Sequence, residues 1–385
     1  MILEFKLSGY CSFKELQEIY FIPHLGTRLK NTRYQDNFYI NSKNKIMKSA
    51  VIFGANASGK TSLIRGIGEL VYILKHGINL PEEFNFNKLN NESKEIMFEI
   101  KLLNKRLNEI YSYKIKYNDE QILEEVLHKG EKLVYSFYEN TLKIGEEVKL
   151  NIDLGGVFSI KSTNLIAKKI KDYSIVELDE FMEAIGNIEL VKEENIHSYT
   201  KETKTNIKEK IKELLELNKE KVVNVLTLLD ITIKDFKFEK LGNFDNENLY
   251  QIYFLRENSE KKYYLGNESE GIKKMIYLMT YFLKLYQGKT IIIDELDSSI
   301  STISLIKIFN NIVNTKENKN GQLIVTSHNI FLFNNNILNP QQIYIVNKTE
   351  EISSEIYSID DFNIRTEKEN LYLDYLKGKF GGING

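Results

Sequence analysis

Gly54-Ala55-Asn56-Ala57-Ser58-Gly59-Lys60-Thr61 fits the pattern G-x-x-x-x-G-K-[ST], and its flanks give the pattern meaning. Upstream, Ser49-Ala50-Val51-Ile52-Phe53 reads as a short buried strand that ends at Gly54. Downstream, Leu63, Ile64, Ile67, Leu70, Val71 and Leu74 recur at helical spacing over 61–76, and Gly77 stands where a C-cap belongs. Strand, glycine loop and helix in this order let successive backbone N–H groups curl around a phosphate, with the helix dipole behind them. Lys60 is then placed to reach β- and γ-phosphates as a point charge. Thr61 is placed to hold Mg²⁺ through its hydroxyl. Asn56, Ala57, Ser58, Gly59 and Ser62 complete the candidate cradle. A chance glycine turn would show the same letters; the strand before it and the amphipathic helix after it argue against chance.

A second signal lies far along the chain, at Thr290-Ile291-Ile292-Ile293-Asp294-Glu295-Leu296-Asp297. An apolar β-branched strand ending in two acids delivers both carboxylates to its C-terminal edge, where ligands bind in parallel sheets. Asp294 would support Mg²⁺, and Glu295 would orient and deprotonate an attacking water. Alone, such a run often leads into nothing more than a solvated turn. Paired with the glycine loop, it predicts a nucleotide site.

Two weaker pieces follow the same logic. Leu323-Ile324-Val325-Thr326-Ser327-His328 is a strand ending in a histidine, whose imidazole could sense a γ-phosphate. Ser269-Glu270-Gly271 opens a helix running to about 287, with Ile276, Met279 and Leu283 on its apolar side. A serine and a glycine at a helix N-terminus suit an anion, although a plain serine N-cap accounts for the same letters.

In this order the glycine loop, Ser269-Glu270-Gly271, Asp294-Glu295-Leu296-Asp297 and His328 resemble an ATP-binding-cassette ATPase head of the SMC/RecF kind. They look like its Walker A, signature, Walker B, D-loop and switch-histidine motifs. The resemblance implies an α/β P-loop fold, ATP and Mg²⁺ as ligands, and two heads that sandwich two ATP molecules. Ser269 and Gly271 would then act on the nucleotide of the partner head, and Asp297 would lie at the dimer seam. No Q-loop glutamine is evident; the strand near Phe98 and Glu99 occupies that region. The signature is shorter than the transporter form, and Ser298-Ser299-Ile300-Ser301 lacks the histidine common among relatives.

The Gly54 loop, the short arm and the tail Leu373-Asp374-Tyr375-Leu376-Lys377-Gly378-Lys379-Phe380-Gly381-Gly382 further resemble the AAA-type ATPases of bacterial abortive infection, the AbiL-like family. That resemblance implies an anti-phage defence ATPase, forming an ATP-dependent homodimer or higher oligomer and acting with a separately encoded effector nuclease. A RecF-like DNA-repair ATPase is the alternative. It needs a basic face for DNA or RNA, for which Lys168, Lys169, Lys171, Lys204, Lys208, Lys210 and Lys212 are candidates; Glu202, Glu209 and Glu213 interleave with the second group.

Around these motifs, residues 2–7 alternate as a strand and 27–48 are polar. Residues 96–160 show period-2 patterning, with an Asn118-Asp119 turn, and 164–230 turn helical. There Ile207, Ile211, Leu214, Leu215, Val222, Val225, Leu226 and Leu229 suggest a short helical hairpin packed on its own domain. The expected division is a head half at 1–95, a β subdomain at 96–163, a helical arm at 164–240 and the second head half at 241–385.

Composition narrows the remaining classes. The chain has 385 residues, 42% apolar and 28% charged, with 21 Phe and 23 Tyr, which excludes a disordered protein. A net charge of −2 leaves nucleic-acid or membrane attraction to local patches. One cysteine excludes a disulfide framework, and the scattered histidines offer no metal pair on one helix turn. No apolar run reaches membrane-spanning length, so a soluble cytoplasmic protein without membrane contact is expected.

Overall fold

The computed structural model describes residues 1–24, 29, 31–78, 94–148, 158–159, 165–171, 174–191, 206–244, 247–334, 336–362 and 371–381. Its centre is a six-stranded sheet in the spatial order Ile188–Val191, Thr290–Ile293, Gln322–Thr326, Ser49–Phe53, Ile343–Lys348 and Ser354–Ser358. The first five strands run parallel and the sixth turns back antiparallel. The expected strands at 49–53 and 290–293 have the observed limits, and the strand expected to lead into His328 is Gln322–Thr326.

Their continuous apolar letters follow from burial on both faces. Ala50 and Ile52 point into a core shared with the helix Lys60–His76, while Val51 and Phe53 point into a second core shared with the helix Glu270–Tyr286. Ile292 and Ile324 join the first, and Ile291, Ile293, Leu323 and Val325 the second.

Over the first core lies an eight-stranded antiparallel sheet ordered Phe158–Ser159, Thr141–Ile144, Lys132–Tyr138, Ile122–Lys129, Glu109–Tyr117, Ile96–Asn104, Ile2–Ser8 and Gln17–Tyr20. Period-2 patterning buries one face of its central strands: Ile96, Phe98, Ile100 and Leu102 align with Tyr117, Ile115, Tyr113 and Tyr111. Gln322 stitches the two sheets together. Its amide accepts from the Ile2 N–H (2.8 Å) and donates to the Ile2 and Met47 carbonyls (2.9 and 3.2 Å).

Two expected boundaries cut through these units. The boundary at 95 separates Ile2–Ser8 from Ile96–Asn104, yet the two strands pair directly. The expected arm, 164–240, is not one helical insertion. Its helix Val176–Gly186 packs into the first core, and Ile188–Val191 pairs in parallel with Thr290–Ile293 as the edge of the central sheet. The reason is topological: a half-buried edge strand of four residues is too short to announce itself against helical neighbours.

The expected helical hairpin is present as Glu209–Leu217 and Lys219–Leu229, joined at Asn218. Ile207 belongs instead to a strand, Asn206–Lys208, paired with Glu247–Arg256. The hairpin's Leu215, Val222 and Leu226 enter the second core together with the helix Glu270–Tyr286. His197, Glu202, Lys204 and Gly382 lie outside the described residues.

Candidate functional site

Parallel pairing sets the site. Ile293 is level with Val325, and Val325 with Val51, so the strands holding the acids, Thr326 and the glycine loop all end at one sheet edge. The acid strand stands two strands away from the loop strand, a separation of about 9–10 Å. Gln322–Thr326 runs between them.

At that edge the loop adopts backbone that its letters foreshadow. Gly54 (φ 149°) and Gly59 (φ 116°) both lie in the region that favours glycine. A methyl on Gly54 would come 2.2 Å from the Val346 carbonyl, and one on Gly59 would come 2.4 Å from the Ser354 hydroxyl. Ala57 also has positive φ, 61°. Asn56 and Ala57 are exposed, whereas Ser58 is buried and its hydroxyl has no hydrogen-bond partner among the described residues. From behind, the Ser354 hydroxyl donates to the Ser58 carbonyl at 2.5 Å. Thr61 and Ser62 follow in the first turn of the helix, half-buried, with Ser62 hydrogen-bonded to the Cys11 thiol.

Lys60 is buried and donates to the Gly54 and Ala55 carbonyls at 2.8 and 2.9 Å. Burial holds its amine below the usual lysine range, against an opposing pull from the charges of Asp294, Glu295 and Asp297. The loop lysine and all three acids therefore share one electrostatic environment, although they come from distant parts of the chain.

The acid turn is tightly held. Thr326 donates its hydroxyl to Asp294 Oδ1 at 2.5 Å. Glu295 has a left-handed backbone, φ 50°. Asp297 accepts from the His328 backbone N–H through Oδ2 at 2.9 Å, while its buried Oδ1 has no partner among the described residues. His328 itself is exposed. The following Phe331 and Phe333 stack on Tyr372 and Tyr375 of the tail helix Leu371–Leu376, with ring centroids 5.1 and 4.4 Å apart.

Ser269 caps its own helix, accepting from the Ile272 N–H at 3.4 Å, and is exposed with Glu270. Arg256 grips the preceding Glu268 through two contacts of 2.7 and 2.8 Å. Gly271 faces the turn after the acids. Sequence reading missed a third link: Lys274, buried in the same helix, donates to the Glu295, Leu296 and Ser298 carbonyls at 3.0, 3.1 and 2.7 Å. Nothing in its neighbouring letters signals this role, because the acceptors lie on another element.

Phe98 is buried mid-strand against Phe5, Tyr10 and Tyr117, and Glu99 beside it pairs with Lys114 in the strand ladder, so that region is core sheet. Among the lysines considered for nucleic acid, Lys168 donates to the Lys75 carbonyl (2.7 Å) and Lys212 pairs with Glu216 (3.0 Å).

The donors suit a hard cation. Asp294 keeps one carboxylate oxygen beyond the bond to Thr326, and Thr61 adds a hydroxyl in the first helical turn. Among the described residues no group of three His, Cys, Asp or Glu side chains could hold a metal alone. Mg²⁺ takes few protein oxygens and fills its shell with phosphate and water. Bound there, the ion would neutralise charge on the phosphates. The chain's own part would then be to offer loop N–H groups and the Lys60 ammonium to the phosphates, with Glu295 placed as a candidate base for water. No helix among the described residues is long and apolar enough to cross a membrane.

An SMC head solved bound to the C-winged helix domain of ScpA superposes with a TM-score of 0.50 at 12% identity, covering 93% of this chain and 97% of that one. The SMC head domain from Thermotoga maritima (0.47, 14%, 93% and 98%) is similar, as is the Pyrococcus furiosus head with an extended coiled coil bound to the C-terminal domain of ScpA (0.49, 11%, 98% and 99%). The fold is that of a P-loop ABC-type ATPase head. No curated protein matches the chain. The family model described as "AAA domain, putative AbiEii toxin, Type IV TA system" matches residues 49–334, spanning the glycine loop, the acids and His328, and the chain belongs to that family.

Proposed function

We propose that this chain binds ATP with Mg²⁺ at the shared sheet edge, pairs with a second copy around the nucleotide and hydrolyses it. The observation that carries the reading is the level pairing of the loop strand, the strand ending at Thr326 and the acid strand, which brings the glycine loop with Lys60 and the acids Asp294, Glu295 and Asp297 to one sheet edge. Ser269 and Gly271, on an outward-facing helix start, serve the partner's nucleotide, and the γ-phosphate favours the closed pair through contacts absent after hydrolysis.

The biological role that fits is regulation of a separately encoded effector nuclease in anti-phage abortive infection, in the manner of AbiL-like ATPases. The motif order and a family described as a putative toxin of a type IV system support it. Glu295→Gln tests the pairing. With ATP and Mg²⁺ it should sediment as a dimer, and with ADP as a monomer; a monomer in both states would refute the pairing. In cells, Lys60→Ala should abolish protection against phage conferred together with the neighbouring genes.

A further inference from the structure

We infer that Thr326 is a positioning residue that sets both acids for ATP turnover, an inference that rests on the nucleotide reading above. Three successive residues of the acid turn are moulded on it. Its hydroxyl donates to Asp294 Oδ1 at 2.5 Å and accepts from the Glu295 N–H at 2.7 Å. Its carbonyl accepts from the Leu296 N–H at 3.2 Å. A hydroxyl has one proton and two lone pairs, so donating to one acid fixes the direction from which it accepts the other's N–H.

The placement is rigid. Thr326 is fully buried as the last residue of the strand between the loop strand and the acid strand, level with Ile52. Its β-branch restricts χ1, and the bond to Asp294 is short, as charge-assisted O–H···O⁻ bonds are. Two consequences follow. Asp294 keeps a single carboxylate oxygen free of Thr326, and Glu295 is held at φ 50°, which a glutamate seldom adopts unaided. Thr326 touches neither phosphate nor water in this role; it acts through the acids.

The test compares wild type, Thr326→Val and Thr326→Ser by titration with ATP and Mg²⁺, steady-state phosphate release and thermal melting. Valine keeps the shape and removes the hydroxyl; serine restores it. The expected result is a kcat about 100-fold lower for valine, a magnitude typical of misplaced catalytic groups. ATP affinity should stay within about threefold, the Mg²⁺ concentration for half-maximal rate should rise, and serine should recover most of kcat. Valine turning over as fast as wild type would overturn the inference, as would serine failing to recover when both variants melt like wild type. Wild type that neither binds nor hydrolyses ATP would instead refute the nucleotide reading itself.

Discussion

A methyl group added to the Cα of Gly271 would lie 2.8 Å from the carbonyl oxygen of Ser299. The helix that begins at Ser269 therefore packs its first turn against the turn that follows the acids, and only a residue without a side chain permits the approach. Two surfaces that would face different nucleotides in a paired assembly are in direct contact within one chain.

Gly271→Ala should expose that contact. The neighbour is backbone, which cannot swing aside, so the helix or the acid turn must shift, at about 1–3 kcal/mol. Phosphate release should fall at least tenfold while ATP affinity changes less than threefold. Unchanged turnover would show that the close approach has no part in hydrolysis.

Lys274→Met removes the ammonium that binds three carbonyls of the same turn. Methionine fills most of the space but leaves buried acceptors unpaired, and a loss of about 2–4 kcal/mol in urea unfolding is expected. Turnover should fall more than nucleotide binding. A variant as stable as wild type would mean that water replaces the ammonium.

Lys105 provides a pH signature of the contact between the antiparallel sheet and the base of the central one. Its amine donates to the Gly288 and Asn320 carbonyls. Burial first, and the Lys289 charge second, pull its pKa down from 10.5 to about 8. Between those values the unfolded chain holds more protons than the folded one, so this group's contribution to stability rises with pH across that window. Lys105→Met lacks the effect. Wild type should gain stability relative to the variant from pH 8 to pH 10, read by urea unfolding, and show a constant difference below pH 7.5. An equal difference at pH 7 and pH 10 would contradict the assignment.

How much was legible follows from whether a residue's role is local or tertiary. The glycine loop declares itself because the backbone it needs restricts positions 54 and 59 to glycine. The strands at 49–53, 290–293 and 322–326 declare themselves because burial on both faces leaves only apolar letters. Ile188–Val191 does not, since Glu189 interrupts a run of four and its partner strand lies far along the chain. Thr326, Lys274 and Ser354 were invisible for a related reason. A hydroxyl or ammonium acquires its role from acceptors on other elements, and nothing in its own neighbours names them.

The most direct measurement is calorimetric titration of ATP with Mg²⁺ into wild type and Lys60→Ala. The Lys60 side chain is buried at the end of the loop that faces the acids, and charge-assisted hydrogen bonds of about 1.5–3 kcal/mol correspond to a loss of about 10–150-fold in affinity. Wild type should bind and Lys60→Ala should bind at least tenfold more weakly, with both folded. Equal affinity in the two proteins would contradict the assignment of a nucleotide site to this edge of the sheet.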